Sequence, residues 1–196
     1  MRIIAGSRRG AKLTRLDAAN TRPTANRVRE SLFNILDAGR FGQVLKDALV
    51  IDAFAGTGSL GLEALSRGAK LACFIEQDPA ALLILRANIR KLDMQSRSHV
   101  IAGNATNLSH WPLPPATLMF ADAPYYSGDG QISACTIQSL GGLAFDALIV
   151  IETHKSENID DAMLAADSMT PIHNRIYGKA LLHFLTHKDT SGRMIS

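Results

Sequence analysis

The folding options of this chain are narrowed most by one stretch, Leu49-Val50-Ile51-Asp52-Ala53-Phe54-Ala55-Gly56-Thr57-Gly58-Ser59-Leu60-Gly61. Leu49, Val50 and Ile51 form an apolar run of the kind buried on both faces of a parallel sheet. Gly56 and Gly58 allow a tight turn and a close approach of ligand to backbone. Ser59 to Arg67 then reads as a helix ended at Gly68. Strand, glycine turn and helix make a cofactor cradle at the carboxyl end of a central strand. Gly56-Thr57-Gly58-Ser59-Leu60-Gly61 satisfies the dinucleotide pattern G-x-G-x-x-G, and Glu76 stands twenty residues beyond Gly56, where a ribose-binding acid is expected. Asp52, four residues before the first glycine, argues for another cofactor. A carboxylate there repels a pyrophosphate, whereas S-adenosylmethionine (SAM) carries a sulfonium, an ammonium and no phosphate. The spacing favours SAM; the bland alternative is that the glycines only make a tight connection.

From Asp47 onward, strand-like and helix-like runs alternate, which predicts an α/β, Rossmann-like sheet. Lys70 to Glu76 reads as the second strand, followed by a helix from Pro79. Ser98 to Ala102 is the third strand, with Gly103-Asn104-Ala105 at its end. Asn104 could meet an adenine edge or cap the next turn. Thr117 to Asp122 is the fourth strand, Gln131 to Leu140 a helix, Phe145 to Glu152 the fifth strand and Asn158 to Ala166 a helix. Met169 to Tyr177 and Lys179 to His187, split by Gly178, read as a closing antiparallel hairpin. Upstream, Thr24 can cap a helix running to about Ala38, with Val28, Leu32, Ile35 and Leu36 on one face. Arg2 to Gly6 and Ala11 to Leu16 read as a small hairpin with Arg8 and Arg9 at its tip.

The chain has 196 residues, with 46% hydrophobic and 20% charged residues, enough for one α/β domain and a small extension. No apolar run is long enough to span a bilayer or to act as a signal peptide, so a cytoplasmic protein is expected. Cys73 and Cys135 form no C-x-x-C pair and read as buried, reduced thiols. The six histidines form no metal pattern; His183 and His187 lie in a strand-like run. The net charge of +3 is uneven: residues 1–46 carry a balance of +7 and the rest −4. A basic N-terminal piece on an acidic body points to a polyanionic partner, or else to a solvated basic surface.

The second motif is Asp122-Ala123-Pro124-Tyr125. At the end of the fourth strand it falls beside the first strand, in the crevice where strand order reverses. Pro124 fixes its own φ and holds Ala123 extended, which makes the corner stiff. An acid beside an aromatic ring can bind a flat base bearing an exocyclic amine. The corner resembles the [Asp/Asn]-Pro-Pro-[Tyr/Phe] signature of SAM-dependent amino-methyltransferases, with Ala123 in place of the first proline. Together with Arg2-Ile3-Ile4-Ala5-Gly6, Arg22-Pro23-Thr24, Arg27-Val28-Arg29-Glu30-Ser31-Leu32-Phe33-Asn34, the glycine stretch through Gly61-Leu62-Glu63-Ala64-Leu65-Ser66-Arg67-Gly68-Ala69, Ile75-Glu76 and Tyr177-Gly178, it is similar over nearly the whole length to the RsmD family of small-subunit ribosomal RNA guanine-N2 methyltransferases.

The resemblance implies a seven-stranded methyltransferase sheet over residues 21–196, preceded by a basic β-hairpin extension over residues 1–20. It implies SAM as cofactor and a guanine in ribosomal RNA of the assembled small subunit as substrate; a monomer is expected, and the transfer requires no metal. Asp52, Ala53, Phe54, Gly56, Gly58, Glu76, Gln77, Asn104, Ala105, Arg22 and Thr24 would hold the cofactor, with Glu76 on the ribose hydroxyls. Asp122, the Ala123 carbonyl, Pro124 and Tyr125 would hold the target base. Arg8, Arg9, Lys12 and Arg27 would meet RNA. Three other readings stand beside this one: an adenine-N6 methyltransferase, a nicotinamide-dependent oxidoreductase, which Asp52 opposes, and a non-catalytic RNA-binding protein with a SAM-type fold.

Overall fold

In the computed structural model, which describes residues 1–16 and 23–188, seven strands form one sheet. They are β1 (Leu49–Asp52), β2 (Leu71–Glu76), β3 (Ser98–Ala102), β4 (Ala116–Ala121), β5 (Leu143–His154), β6 (Met169–Tyr177) and β7 (Ala180–His187). Their spatial order is β3-β2-β1-β4-β5-β7-β6. β1 to β5 pair in parallel, and β7 runs antiparallel to both β5 and β6. The chain moves outward from β1 through β2 to β3, then returns to the other side of β1 for β4. The β1–β4 boundary is therefore the switch point, where a doubly wound sheet leaves a crevice beyond its strand ends.

Among the described residues five α-helices cover the sheet: α1 (Pro23–Asp37), α2 (Ser59–Ser66), α3 (Pro79–Lys91), α4 (Asp129–Ser139) and α5 (Asp161–Ala166). Strand residues alternate between two cores, as a two-residue side-chain period requires. Val50, Phe74, Phe120, Val150 and Phe184 join α1, α2 and α3 on one face. Ile51, Ile75, Met119, Ile149 and Leu185 join α4 and α5 on the other. Both faces being buried, the central strands are apolar without interruption. Cys73 and Cys135 are buried and free, and burial pushes both thiols up to about 12, which keeps them inert.

The N-terminal hairpin is present only in minimal form. Arg2 and Lys12 make one antiparallel bridge, and its loop is a 3-10 turn over Gly6–Arg8. The loop is no free tip, because it folds onto the end of α2. Glu63 accepts from the amides of Ile4 (2.7 Å) and Ala5 (3.0 Å), and Ser66 Oγ donates to the Ala5 carbonyl and accepts from the Arg8 amide. Gly6, at φ +81°, lies so close that a Cβ there would sit 1.9 Å from the Ser66 carbonyl oxygen. Ile3 and Leu13 are buried in the first core. Asn88, fully buried on α3, accepts from the Thr14 amide and donates to the carbonyls of Thr14 and Thr57. One side chain thus ties the basic N-terminal segment to the glycine turn.

Element ends differ from the sequence expectation for identifiable reasons. Thr24, expected before the helix as its cap, lies inside α1, which is described from Pro23 onward. α5 starts at Asp161 because Asp160 accepts from the amides of Ala162 and Met163 and caps it there. β5 extends to His154, which carries Glu152 beyond the last residue of β4. None of the described helices is long and apolar enough to cross a membrane.

Candidate active site

The glycine turn is shaped by what surrounds it. Gly58 precedes α2 at φ +89°, and a Cβ there would lie 2.5 Å from Leu85 Cδ1. Gly61, one turn on, lets α2 pack against the Phe74 ring, 2.4 Å from where its Cβ would be. Gly56 has open space on that side and donates its amide to Glu76 Oε2 (2.7 Å). Glu76 Oε1 accepts from the amides of Gln77 and Asp78, both at 2.8 Å. Three backbone donors therefore fix the carboxylate across the gap between β1 and β2 and still leave lone-pair capacity for a ligand. The helix cap is Asp78, which accepts from the Ala80 amide, not Glu76.

A pocket opens beside this carboxylate, lined by Ala53, Phe54, Glu76, Gln77, Asn104 and Ala105, with Ile75 and Gly103. The six residues named first are all ones the sequence assigned to a cofactor. Asn104 differs in role from a simple adenine contact: its Oδ1 accepts from the amide and hydroxyl of Thr106, both at 2.9 Å. It caps the following turn, and only its amide NH2 is left to offer a ligand. Arg22 and the side chain of Thr24 lie outside the described residues.

Asp52 is 1% exposed, and its Oδ2 accepts from the Gly61 amide (2.9 Å) at the start of α2. Burial pushes its carboxyl up to about 7; that amide pulls it down, and Asp122 and Glu76 push it up again. A row of four carboxyls, Glu76, Asp52, Asp122 and Glu152, therefore crosses the ends of β2, β1, β4 and β5. Among the described residues none of the four is in an ion pair. Such a row is hostile to phosphate and fits a cationic ligand.

At the β4 corner Asp122 and Tyr125 follow the strand end, and two further residues join them. Ala121 pairs with Ile151, so Asp122 and Glu152 follow on adjacent strands. Tyr125 donates its hydroxyl to Glu152 Oε1 (2.7 Å), and its ring meets His154 edge-on. Glu152 is pushed up to about 7, chiefly by burial and then by Asp122, with the Tyr125 hydrogen bond opposing. The Asp122 carboxyl is walled by protein yet open to water at the crevice mouth. Desolvation raises its pKa, and solvent access at the mouth moderates the rise. A cavity of about 100 Å³ joins Asp122 and Glu152 to Ser59 and Leu60 of α2 and to Asn26, Arg29 and Leu32 of α1. The acid corner and the first turn of α2 thus open into one space.

Glu152 and Tyr126 are site residues that the sequence did not single out. Tyr126 is 68% exposed at φ +65°, its amide held by Glu157 (2.6 Å) and its hydroxyl 2.7 Å from His154 Nδ1. With the Tyr125 hydroxyl engaged by Glu152, Tyr126 presents the more open ring. Of the residues expected to meet RNA, Arg9, Lys12 and Arg27 are exposed. Arg8 is half-buried: its Nε donates to the Leu92 carbonyl (2.7 Å) and its guanidinium lies 3.7 Å from Asp93, so it ties the loop to the end of α3. No group of three or more metal-ligating side chains is present among the described residues.

The family profile of conserved hypothetical protein 95 matches residues 1–186. Ribosomal RNA small subunit methyltransferase D of Escherichia coli is 39% identical over 153 residues, covering 78% of this chain and 74% of that one. Its namesake in Haemophilus influenzae is 33% identical over 181 residues, or 91% and 89% of the two chains. The solved structure of the candidate methyltransferase yhhF from Escherichia coli superposes with a TM-score of 0.79 at 32% identity, covering 96% of this chain and 98% of that one. With relatives at this identity along most of both chains, and a fold and acid corner of the expected kind, the chain belongs to the RsmD family.

Proposed function

We propose that this protein transfers a methyl group from SAM to the exocyclic N2 of a guanine in small-subunit ribosomal RNA, as a monomer acting in the cytoplasm on the assembled subunit. The observation that carries the reading is the row of carboxyls at the ends of β2, β1, β4 and β5, in no ion pair among the described residues, which runs from the pocket beside Glu76 to an acid-and-aromatic corner. Its relatives are named as ribosomal RNA methyltransferases, which supports the choice of substrate.

When bound, SAM supplies an electrophilic methyl on a positively charged sulfur. The chain's own residues do the rest. Ala53, Phe54 and Ala105 give the adenine apolar walls, and Glu76 has capacity to accept from the ribose hydroxyls. Asp52 faces the cationic end. Asp122 and the Ala123 carbonyl accept the hydrogens of the target amine and favour a pyramidal nitrogen with an available lone pair. Tyr125 and Tyr126 flank the base. The nitrogen takes the methyl as the carbon–sulfur bond breaks, becomes cationic, and releases a proton through Asp122 to water. Orientation can contribute about 7 kcal/mol or more to such a step. The test uses methyl-labelled SAM offered with naked ribosomal RNA, undermodified small subunits and DNA. Label in N2-methylguanine from the subunits is expected; label in N6-methyladenine, or SAM binding without transfer to any of the three, overturns the reading.

The state of Asp52 gives a pH dependence. Its carboxyl stands at about 7 in the free protein, against an ordinary 3.8, so it costs the fold stability increasingly as pH rises between those values. A bound cation pulls that pKa down, and binding below pH 7 must then release a proton. SAM affinity is expected to be about tenfold weaker at pH 6 than at pH 8. Calorimetry in buffers of different ionisation enthalpy measures the proton directly. Binding with no proton release at pH 6 removes Asp52 from the cation site.

A further inference from the structure

On the flank of α1 away from the catalytic crevice lies a second groove, of about 310 Å³, between that helix and the edge strand β6. Arg40, His173 and Arg175 line it, with Ser31, Asn34 and Tyr177 as neutral donors, and no acidic side chain lines it among the described residues. Neither the Arg40 nor the Arg175 side chain makes an ion pair or hydrogen bond with another described residue. The His173 imidazole is held below its ordinary pKa, first by desolvation and then by those two guanidiniums, so the positive charge in the groove converges without being neutralised.

The sheet register fixes where this groove stands. Leu182 of β7 is opposite Glu152 on one side and Arg175 on the other. Residues opposite one another point to the same face, so Arg175 lies on the α1 side at the height of Glu152, two strand spacings away, or about 10 Å. α1 separates the two sites. Its residues Asn26, Arg29 and Leu32 line the crevice; Ser31, Asn34 and Ile35, with Ala38 just past its end, line the groove. Arg27, exposed, lies one helical turn before Ser31 on the groove flank, at the end nearer the crevice.

We propose that the α1–β6 groove binds the phosphodiester backbone of the RNA strand flanking the target nucleotide, with Arg40 and Arg175 each on a phosphate and Arg27 leading the strand from the crevice mouth. The proposal rests on the RNA methyltransferase reading above. A groove that offers cations and donors but no acceptor carboxylate, within one short reach of the reacting corner, suits a polyanion whose next residue is the substrate. Guanidinium forks match phosphate geometry. Contacts of this kind position the strand without reading its sequence.

The test is the double variant Arg40→Gln/Arg175→Gln in the full chain, with Arg86→Gln/Arg90→Gln on α3, which links β2 to β3 at the other end of the sheet, as a charge-matched control. All four side chains are exposed. The groove variant is expected to raise KM for RNA about tenfold and to reduce the slope of log K against log salt by about 1.4 to 1.8, the value for two phosphates. Its SAM affinity, and kcat at saturating RNA, stay at the wild-type level. A slope and KM equal to wild type, or an equal loss in the control pair, overturns the groove. An acidic protein ligand there, in place of RNA, would leave both RNA parameters unchanged and so overturns it too. Wild-type protein that methylates no RNA instead overturns the reading on which the groove rests.

Discussion

Asp122→Ala is expected to abolish nearly all methyl transfer while SAM affinity changes by no more than a few fold. The expected loss in kcat is about 10²–10³-fold or greater, the scale seen when one preorganised polar group is removed from a reacting centre. The reasoning starts from position. Asp122 follows β4 directly, on a corner stiffened by Pro124, and shares the cavity that reaches the start of α2. It is not among the residues lining the pocket beside Glu76, so the nucleoside end of the cofactor should not register the change. A second readout separates a lost acceptor from a collapsed corner. Asp122 helps push Glu152 up to about 7, so its removal should lower the Glu152 pKa, visible by carboxyl NMR, while the Tyr125–Glu152 hydrogen bond stays. The pH profile should change as well. With its pKa raised, Asp122 is ionised and able to accept only above the ordinary carboxylate range, so wild-type kcat should fall as pH drops toward that raised value. The residual activity of the variant should lack that fall. Full activity in Asp122→Ala, or unchanged acid dependence, removes Asp122 from the reacting corner.

Much of this site can be read from the chain because its parts are local. Asp52, the glycine turn and α2 are contiguous, and a buried parallel strand leaves an unbroken apolar signature that marks where its carboxyl end must be. Glu76 is found the same way, as the last residue of the next strand. Asp122 and Tyr125 share one tetrapeptide. What was not legible arises from pairing across the fold. Glu152 belongs to a twelve-residue strand, β5, and becomes a site residue only because β5 overruns β4. Tyr126 looks like a continuation of Tyr125 until its positive φ turns the second ring outward. Arg8 reads as an exposed loop arginine, since the acceptor that claims it, the Leu92 carbonyl, is 84 residues away. Asn104 kept both of its readings in the sequence. A side chain with an acceptor at one end and a donor at the other can cap a turn and still face a pocket.

The N-terminal segment was expected as an extension, yet its attachment suggests the largest loss of stability from a single change. Glu63 is fully buried at the heart of α2 and accepts from the Ile4 and Ala5 amides and from Arg67 Nε (2.7 Å). Arg67 is itself almost fully buried, lies over the Phe33 ring at 4.8 Å, and pairs also with Asp37 at the end of α1. One carboxylate therefore holds the N-terminal strand, α2 and, through Arg67, α1. Glu63→Ala would leave a buried guanidinium with half its compensation and two amides without acceptors. The expected cost is about 3–5 kcal/mol, a fall in Tm of roughly 10 °C for a chain of this size. Glu63→Gln keeps one acceptor oxygen and should cost less. Glu30→Gln, on the exposed side of α1, should cost about 0.5 kcal/mol or less. Hydrogen exchange gives the local readout: the Ile4 and Ala5 amides should lose their protection in Glu63→Ala before the central strands do. Arg9 and Lys12 ride on that segment, and Arg29 of α1 donates to the Arg2 carbonyl (2.7 Å), so its release should also weaken RNA binding. If Glu63→Ala melts at the wild-type temperature with those amides still protected, the segment is docked by its buried Ile3 and Leu13 alone, and the carboxylate is not what orients its basic face.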